Sequence, residues 1–519
     1  MTSKEGIHQW IYAGGLGLMA AALPSSVFLM SLSQIILFLN WLAEGGFRLK
    51  FRRVAVNRPA LVFISIYLVH IIALFYSSNF EYGLSTLKSR LPILLLTIIV
   101  VSSPPLPRGI REWILLVFSL SITVVSLISL AIYVSGDYSG YRELSPFISH
   151  IRMSLMVALS VITLSYLAIN IFRKYLALRL LLWGLAFWHL LYLLMLHSLS
   201  GVVVFAAATV VLMLREASRA GLFWRRTGIA AAGLLTLSGV IILLALWSNV
   251  TKIESYGAPK IYSPGGSEYY HEREALIREN GYLIYSYIAE NELREAWNSR
   301  SEYDFDDAGR YGDPVRPVLY RYMSSLGLRK DAHSFGRLDG NDIEAVEKGV
   351  PNYRYTRWPW IITRVHQSLW ELNNYRITGE PLGHTLAQRF EFWKAAIEAI
   401  REKPVFGWGT GDIREASLFG LQQTGSALEF ERWMKPHNQY LSFAVLFGIP
   451  GMLWILFALV YPGARLRKFG NAPYLAFFII LSVSMLNEDT IDTQAGLSFF
   501  VFFSNYFLFL REESEDLHP

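Results

Sequence analysis

The sequence predicts an all-α polytopic membrane protein, with about twelve transmembrane helices and one large, mostly helical external loop domain. Three observations predict it. Of the 519 residues, 53% are hydrophobic, a balance that soluble chains of this length seldom reach. The excess lies in long apolar stretches such as "LLLTIIVVSS", "LLVFSLSITVVSLISLAIYV" and "FVFFSNYFLFL". Each belongs to a segment long enough to cross about 30 Å of hydrocarbon. The basic residues sit in short loops between these segments, which is the positive-inside pattern. A transmembrane barrel would show short alternating segments instead.

In chain order, the expected spans are residues 9–23, 26–44, 59–77, 84–103, 112–134, 147–170, 176–196, 199–214, 227–247, 437–461, 471–486 and 494–511. Pro24 separates the first pair, because proline breaks a helix interior. Four loops carry the positive charge: Arg48 to Arg58, Arg173 to Arg179, Arg215 to Arg226, and Arg465 to Lys468. All four fall on one side if both termini are cytoplasmic. The expected domains are an N-terminal bundle, 1–247, an external domain, 248–436, and C-terminal helices with a short cytoplasmic tail, 437–519.

The external segment is polar, charged and aromatic. Leu276, Tyr282, Ile284 and Ile288 recur at helical spacing, so helices are expected there. Loops are expected at "SPGGS" and "DDAGRYGDP". The net charge of +6 does not indicate nucleic acid, since the charge is spread over membrane loops. The absence of cysteine excludes disulfides and thiolate metal sites. The N-terminus carries no clear cleavage site, and no removable signal peptide is expected.

No nucleotide-binding loop or zinc helix is present. "YDFDDAGRYGD" has several carboxylates but lacks the glycine and closing glutamate of a calcium loop. No metal site and no cofactor are expected. "GWGTG" at 407–411 is either a plain turn or a phosphate cradle.

Charged residues at the external ends of spans are the candidate site, because intramembrane charge is costly and often functional. Arg90 stands at the outer start of span four and Arg152 at that of span six. Glu488 and Asp489 lie between the last two spans, and His437 opens span ten. Any one of them alone reads equally as an interfacial residue. In residues 388–412, Phe390, Trp393, Ile397 and Ile400 make an apolar helical face behind Arg389. That helix reads either as lying on the membrane or as part of a site.

"RFEFWKAAIEAIREKPVFGWGTGD", followed by "HNQYLSFAVLFGIPGMLWIL", resembles the signature of the O-antigen ligase and polymerase superfamily. An arginine comes first, then a tryptophan, a "P-x-x-G-x-G" turn, "H-N-x-x-L" and "G-I-x-G". The closing "NEDTIDTQAGLSFFVFF" is similar to the family's end, and the resemblance runs over about 388–505. It implies a glycosyltransferase of the bacterial inner membrane, with its site facing the periplasm. The donor would be an undecaprenyl-diphosphate-linked glycan. The acceptor would be lipid A-core for a ligase, a glycan for a polymerase, or a protein hydroxyl for an O-oligosaccharyltransferase. Membrane lipid is the other expected partner, and nucleic acid is not one.

The resemblance also implies roles. His437 is the general base, and Arg389 binds the donor diphosphate. Arg152 and Arg90 are expected to bind the same diphosphate, since guanidinium groups bind phosphate oxygens bidentately. Imidazole ionises near pH 6.5, and a helix start disfavours its cation. Asn438 either caps the helix or touches substrate. Glu488 either orients His437 or an arginine, or is a plain loop carboxylate. In "HSLSG", Leu199 stands where the family often has an arginine, and His197 is a weak substitute. A flippase for lipid-linked glycans would share the spans and basic cavity. It would more often show an internal repeat and broken helices, and the sequence shows neither.

Overall fold

The computed structural model describes residues 3–136, 138, 140–272, 276–383, 385–428 and 435–512. The chain divides into two compact units, Met1–Ala232 with Glu391–Pro519, and Gly233–Phe390.

The first unit begins with α1 (Ser3–Ala22) and α2 (Val27–Glu44), which form a hairpin. Ser26 caps α2 by accepting from Leu29 N–H. A short amphipathic α3 (Phe47–Val56) meets α4 (Arg58–Leu74) at 92°. Then come α5 (Phe80–Ser102), α6 (Arg108–Ser135), α7 (His150–Tyr166), α8 (Leu176–Met195), α9 (Leu199–Arg219) and α10 (Leu222–Val250). Helix α10 crosses into the second unit. That unit holds α11 (Glu290–Asn298), α12 (Val315–Ser325), α13 (Ala332–Phe335), α14 (Gly340–Glu347) and α15 (Trp360–Thr378). Helix α16 (Thr385–Glu402) leads back to the first unit, followed by α17 (Ile413–Thr424), α18 (Gln439–Arg465), α19 (Ala472–Ser484) and α20 (Gln494–Leu508).

Helices stand at all twelve expected positions, but twelve spans are not supported. Among the described residues, eight helices are long and apolar enough to cross a membrane, or nine if α3 and α4 count as one bent span. Length explains the difference. Helix α19 has 13 residues and α20 has 15, about 20 and 23 Å at about 1.5 Å per residue. The hydrocarbon core is about 30 Å thick. Helix α1 opens on the polar "SKEGIHQ", which shortens its apolar part. The protein is nonetheless a multi-pass membrane protein.

Buried hydroxyl, indole and imidazole groups bond the helices to one another where the hydrophobic effect cannot. His189 lies between Thr123 at 2.9 Å and Ser160 at 3.0 Å, joining α8 to α6 and α7. Trp41 of α2 donates to Ser102 of α5 at 2.7 Å. At that end of α5, Arg53 donates to the Ser102 carbonyl and Arg511 to the Ser103 carbonyl. Basic side chains thus satisfy the last turn of α5. Arg90 sits about 18 Å back along the same helix, twelve residues at about 1.5 Å each.

Helix α18 is broken at Gly448, where φ is +68°. This differs from the unbroken span expected at 437–461, although "FGIPG" contains both residues that break a helix. The freed backbone groups are met by the glycine-rich turn after α16. Trp408 N–H donates to the Val445 carbonyl at 2.8 Å and Gly409 N–H to Leu446 at 2.9 Å, while Ile449 N–H donates to Pro404 at 2.8 Å. A Cβ on Gly448 would stand 2.1 Å from the Val405 carbonyl oxygen. The two glycine motifs therefore face each other because only bare backbones can come so close.

The second unit packs Trp297, Phe305, Leu319, Tyr322, Met323 and Phe335 into its own core. Its helical expectation fails at 276–289. Arg278–Glu279 and Tyr282–Leu283 pair as an antiparallel hairpin, and Leu276 is exposed. The turn is Asn280–Gly281, both at positive φ, a pairing that favours tight hairpins. Lys330 is fully buried there, and its ammonium donates to Tyr256 Oη and to the Leu283 and Ser286 carbonyls.

Candidate functional site

Five of the expected site residues meet around the connection from α19 to α20, residues 485–493. The order of the chain explains how. Asn438 is the N-cap of α18, and its side-chain oxygen accepts from Tyr440 N–H at 3.0 Å and Leu441 N–H at 3.1 Å. Its amide nitrogen donates to the Leu486 carbonyl at 3.1 Å. Of the two readings of Asn438, capping is the one its contacts match. Gln439 N–H donates to the Met485 carbonyl at 2.9 Å. The mouth of α18 is thus fastened to the end of α19.

His437 precedes that cap, half-buried, with φ at +51°. A non-glycine residue rarely adopts this backbone, and such strain persists only where the surroundings enforce it. Here Asp489 enforces it. One carboxylate oxygen accepts from His437 N–H at 3.1 Å and the other from Ser442 Oγ at 2.6 Å. Pro436, next door, accepts from the Trp393 indole at 2.9 Å. Phe392 places its ring centroid 6.4 Å from that of His437.

Of the three expected arginines, Arg90 and Arg152 are buried and paired with carboxylates. Arg90, 4% exposed, forms an ion pair with Asp492 and donates to the Ile491 carbonyl at 3.3 Å. Arg152, 6% exposed, donates to Glu488 at 3.5 Å, to Thr493 Oγ1 at 3.2 Å and to the Asp489 carbonyl at 3.4 Å. Glu488 therefore contacts an arginine.

Lys435, Gln439, Asp489, Asp492 and Thr493 complete the cluster; of these, only Asp489 stands among the charges that the sequence marks as candidates. Lys435 Nζ lies 2.6 Å from Asp492, and Gln439 Nε2 lies 3.3 Å from it. The Gln439 carbonyl oxygen accepts from Ile491 N–H at 3.1 Å. Burial alone would raise the Asp492 carboxyl, but the charges of Arg90 and Lys435 outweigh it and hold the group well below the usual carboxylate range. Burial, and then the Asp492 charge beside it, push Asp489 the other way, upward. Lys435 is raised: burial opposes its charge, and Asp492 more than offsets that.

Beside this cluster a cavity of about 570 Å³ opens between α2, α5 and α20. Its lining combines the charged Lys88, Arg90, Lys435 and Asp492 with serine, threonine and glutamine side chains and with the apolar Phe38, Leu91, Leu95, Leu96, Ile99 and Leu497.

Arg389 belongs to the second unit, where it is half-buried in the second turn of α16. Trp393, one turn later, belongs to the first unit. The expected apolar face of this helix is displaced. Phe392, Ala395, Ala396 and Ala399 are buried, whereas Ile397 is exposed. Small residues decide the face because close backbones need them: a Cβ on Gly420 would stand 2.0 Å from the Ala395 carbonyl oxygen.

"GWGTG" forms a turn whose N–H groups are all taken. Besides Trp408 and Gly409, Gly407 N–H donates to Lys403, Thr410 N–H to Ala73, and Gly411 N–H to Ser77 Oγ. Asp412 then accepts from Ser78 and Asn79 N–H at 2.6 and 2.7 Å, just before α5. No amide is left over to cradle a phosphate. In "HSLSG", Ser198 caps α9 and His197 stacks on Tyr141 at 3.5 Å.

No curated protein matches the chain. A family match, at 352–456, ends before "NEDTIDTQAG", which the sequence reading had counted within the resemblance. The matched stretch covers α16, the glycine turn, His437 and the part of α18 around its break. Residues 352–456 match the family model described as O-Antigen ligase, and they form the part of this chain that carries that family's domain.

Proposed function

We propose that the protein is a glycosyltransferase of the bacterial inner membrane. It moves a glycan from an undecaprenyl-diphosphate carrier to an acceptor hydroxyl on the periplasmic face, and lipid A-core is the favoured acceptor. A growing glycan or a protein hydroxyl are the alternatives. The observation that carries the reading is the pairing of two features beside one another. One is a cavity lined by both basic and apolar side chains. The other is a histidine held at a helix mouth inside the family-matched stretch. A polyprenyl diphosphate has the same two parts, an anionic head and an apolar tail.

In this reading the acceptor oxygen attacks the anomeric carbon while the bond from that carbon to the diphosphate oxygen breaks. The configuration inverts. The hydroxyl proton passes to the His437 imidazole as general base. The electron pair leaves with the diphosphate, whose charge Arg90 and Arg152 stabilise, with Lys435 beside them. Asp489 and Asn438 act by fixing the backbone that carries His437. Glu488 acts by fixing Arg152.

A transporter for the same glycolipid is the second reading, and the break in α18 favours it. Against it, the freed backbone groups of that break bond to residues 404–409. Replacing His437 with alanine in the native host separates the readings, once the protein is shown to be made and inserted. Transfer should stop and carrier-linked glycan should accumulate, with the depleted glycolipid or glycoprotein band marking the acceptor. Undiminished transfer would remove His437 as the base.

A further inference from the structure

Asp492 occupies an unusual place for a carboxylate. It lines the cavity, between two cations that also line it and that a diphosphate would need. It pairs with the Arg90 guanidinium, and Lys435 Nζ reaches it at 2.6 Å. Its side chain is 7% exposed. Gln439 Nε2 stands at 3.3 Å on the side of α18.

A carboxylate between two buried cations does two things. It keeps them close together, which their mutual repulsion opposes. It also occupies the hydrogen bonds that an incoming anion would use. These effects have opposite signs for ligand affinity. The first strengthens binding by preorganisation, and the second weakens it by competition. Magnitude decides between them. Arg90 is also anchored by the Ile491 carbonyl at 3.3 Å, so its position does not depend on Asp492 alone. A charge-assisted hydrogen bond is worth about 1.5–3 kcal/mol, or about ten- to a hundredfold in affinity. Competition therefore outweighs preorganisation.

We infer that Asp492 is a built-in counter-ion that stands in for the diphosphate, yields Arg90 and Lys435 to it on binding, and reclaims them to expel the diphosphate product. Gln439 Nε2 receives the displaced carboxylate. The inference rests on the proposed donor. It adds that Asp492 is a positioning residue that sets product release.

The test uses the purified full chain and measures the binding of undecaprenyl diphosphate by titration in detergent. Asp492→Asn and Asp492→Ser remove the charge, and Asp492→Glu keeps it. Both neutral variants should bind at least about tenfold more tightly than the wild type. In transfer assays their KM and kcat should fall together, because release has slowed. Asp492→Glu should stay near the wild type. Unchanged or weaker binding by the neutral variants would overturn the inference and leave Asp492 as scaffold for the two cations. A neutral variant that melts early still reports: added undecaprenyl diphosphate should raise its melting temperature more than that of the wild type, and an equal or smaller rise counts against the inference. If folded wild type binds no undecaprenyl diphosphate at all, the donor reading falls first and takes this one with it.

Discussion

Asp489 holds the backbone of His437 in a left-handed conformation, by accepting from its N–H at 3.1 Å while the other oxygen accepts from Ser442 at 2.6 Å. The side chain that the proposed reaction depends on is thus aimed by a strained backbone. The strain is offset by a buried carboxylate two helices later in the chain.

That strain is measurable. At φ +51°, glycine should be favoured over alanine by about 1 kcal/mol. His437→Gly should therefore melt a few degrees above His437→Ala in thermal unfolding in detergent. Both should be equally dead in glycan transfer. Equal melting temperatures would mean that the backbone relaxes once the imidazole is gone.

The two aspartates give opposite pH limbs. Asp489 binds its proton more tightly in the folded protein than in the unfolded chain, since burial and then Asp492 raise it. Stability from this group is lost as pH rises from the ordinary carboxylate range, about 4, through the raised value. Asp492 is depressed, so its contribution is lost as pH falls below that range. Asp489→Asn should flatten the upper limb of melting temperature against pH and leave the lower limb. An unaltered upper limb would assign it to other groups.

Gly448 should tolerate no side chain. Its φ is +68°, and a Cβ would meet the Val405 carbonyl oxygen at 2.1 Å. Gly448→Ala should destabilise by more than about 3 kcal/mol, because backbone strain and overpacking act together. Gly14→Ala is the control, since nothing lies within 4 Å of its Cβ position. It should be neutral or slightly stabilising. Similar losses in the two variants would argue against the docking of the glycine turn into α18.

Arg152 and Glu488 should be coupled. Both are buried, at 6% and 7% exposure. Removing either partner by alanine leaves the other with an uncompensated charge, at about 3 kcal/mol. The double variant should cost less than the sum by about 1 kcal/mol or more. Strict additivity in denaturation would show that the 3.5 Å contact carries no energy.

Much of the fold was legible in the sequence, for physical reasons. Long apolar runs locate helices because lipid forces every backbone group to be satisfied within its own segment. Asn438 was legible as a cap because it directly precedes an apolar run. Counting spans was less reliable, since α19 and α20 are apolar but short. The hairpin at 278–283 was hidden because apolar spacing was weighed before Asn280–Gly281. The face of α16 is not legible from its large apolar residues, because alanines make the contact. Glu488 was legible as a partner for an arginine, but Asp492 was not, for a different reason. Arg90 and Asp492 lie 402 residues apart, and nothing local in "NEDTIDTQAG" says which carboxylate meets which cation. The positive φ of His437 has no signature in its neighbours either.

The central claim is that the His437 imidazole takes the acceptor proton. The most direct measurement is single-turnover transfer by purified protein from carrier-linked glycan to acceptor, comparing the wild type with His437→Ala at matched folding. The account predicts a rate about 10²–10⁴-fold lower, the usual contribution of a general base, with carrier binding unchanged. Transfer within about twofold of the wild type would contradict it.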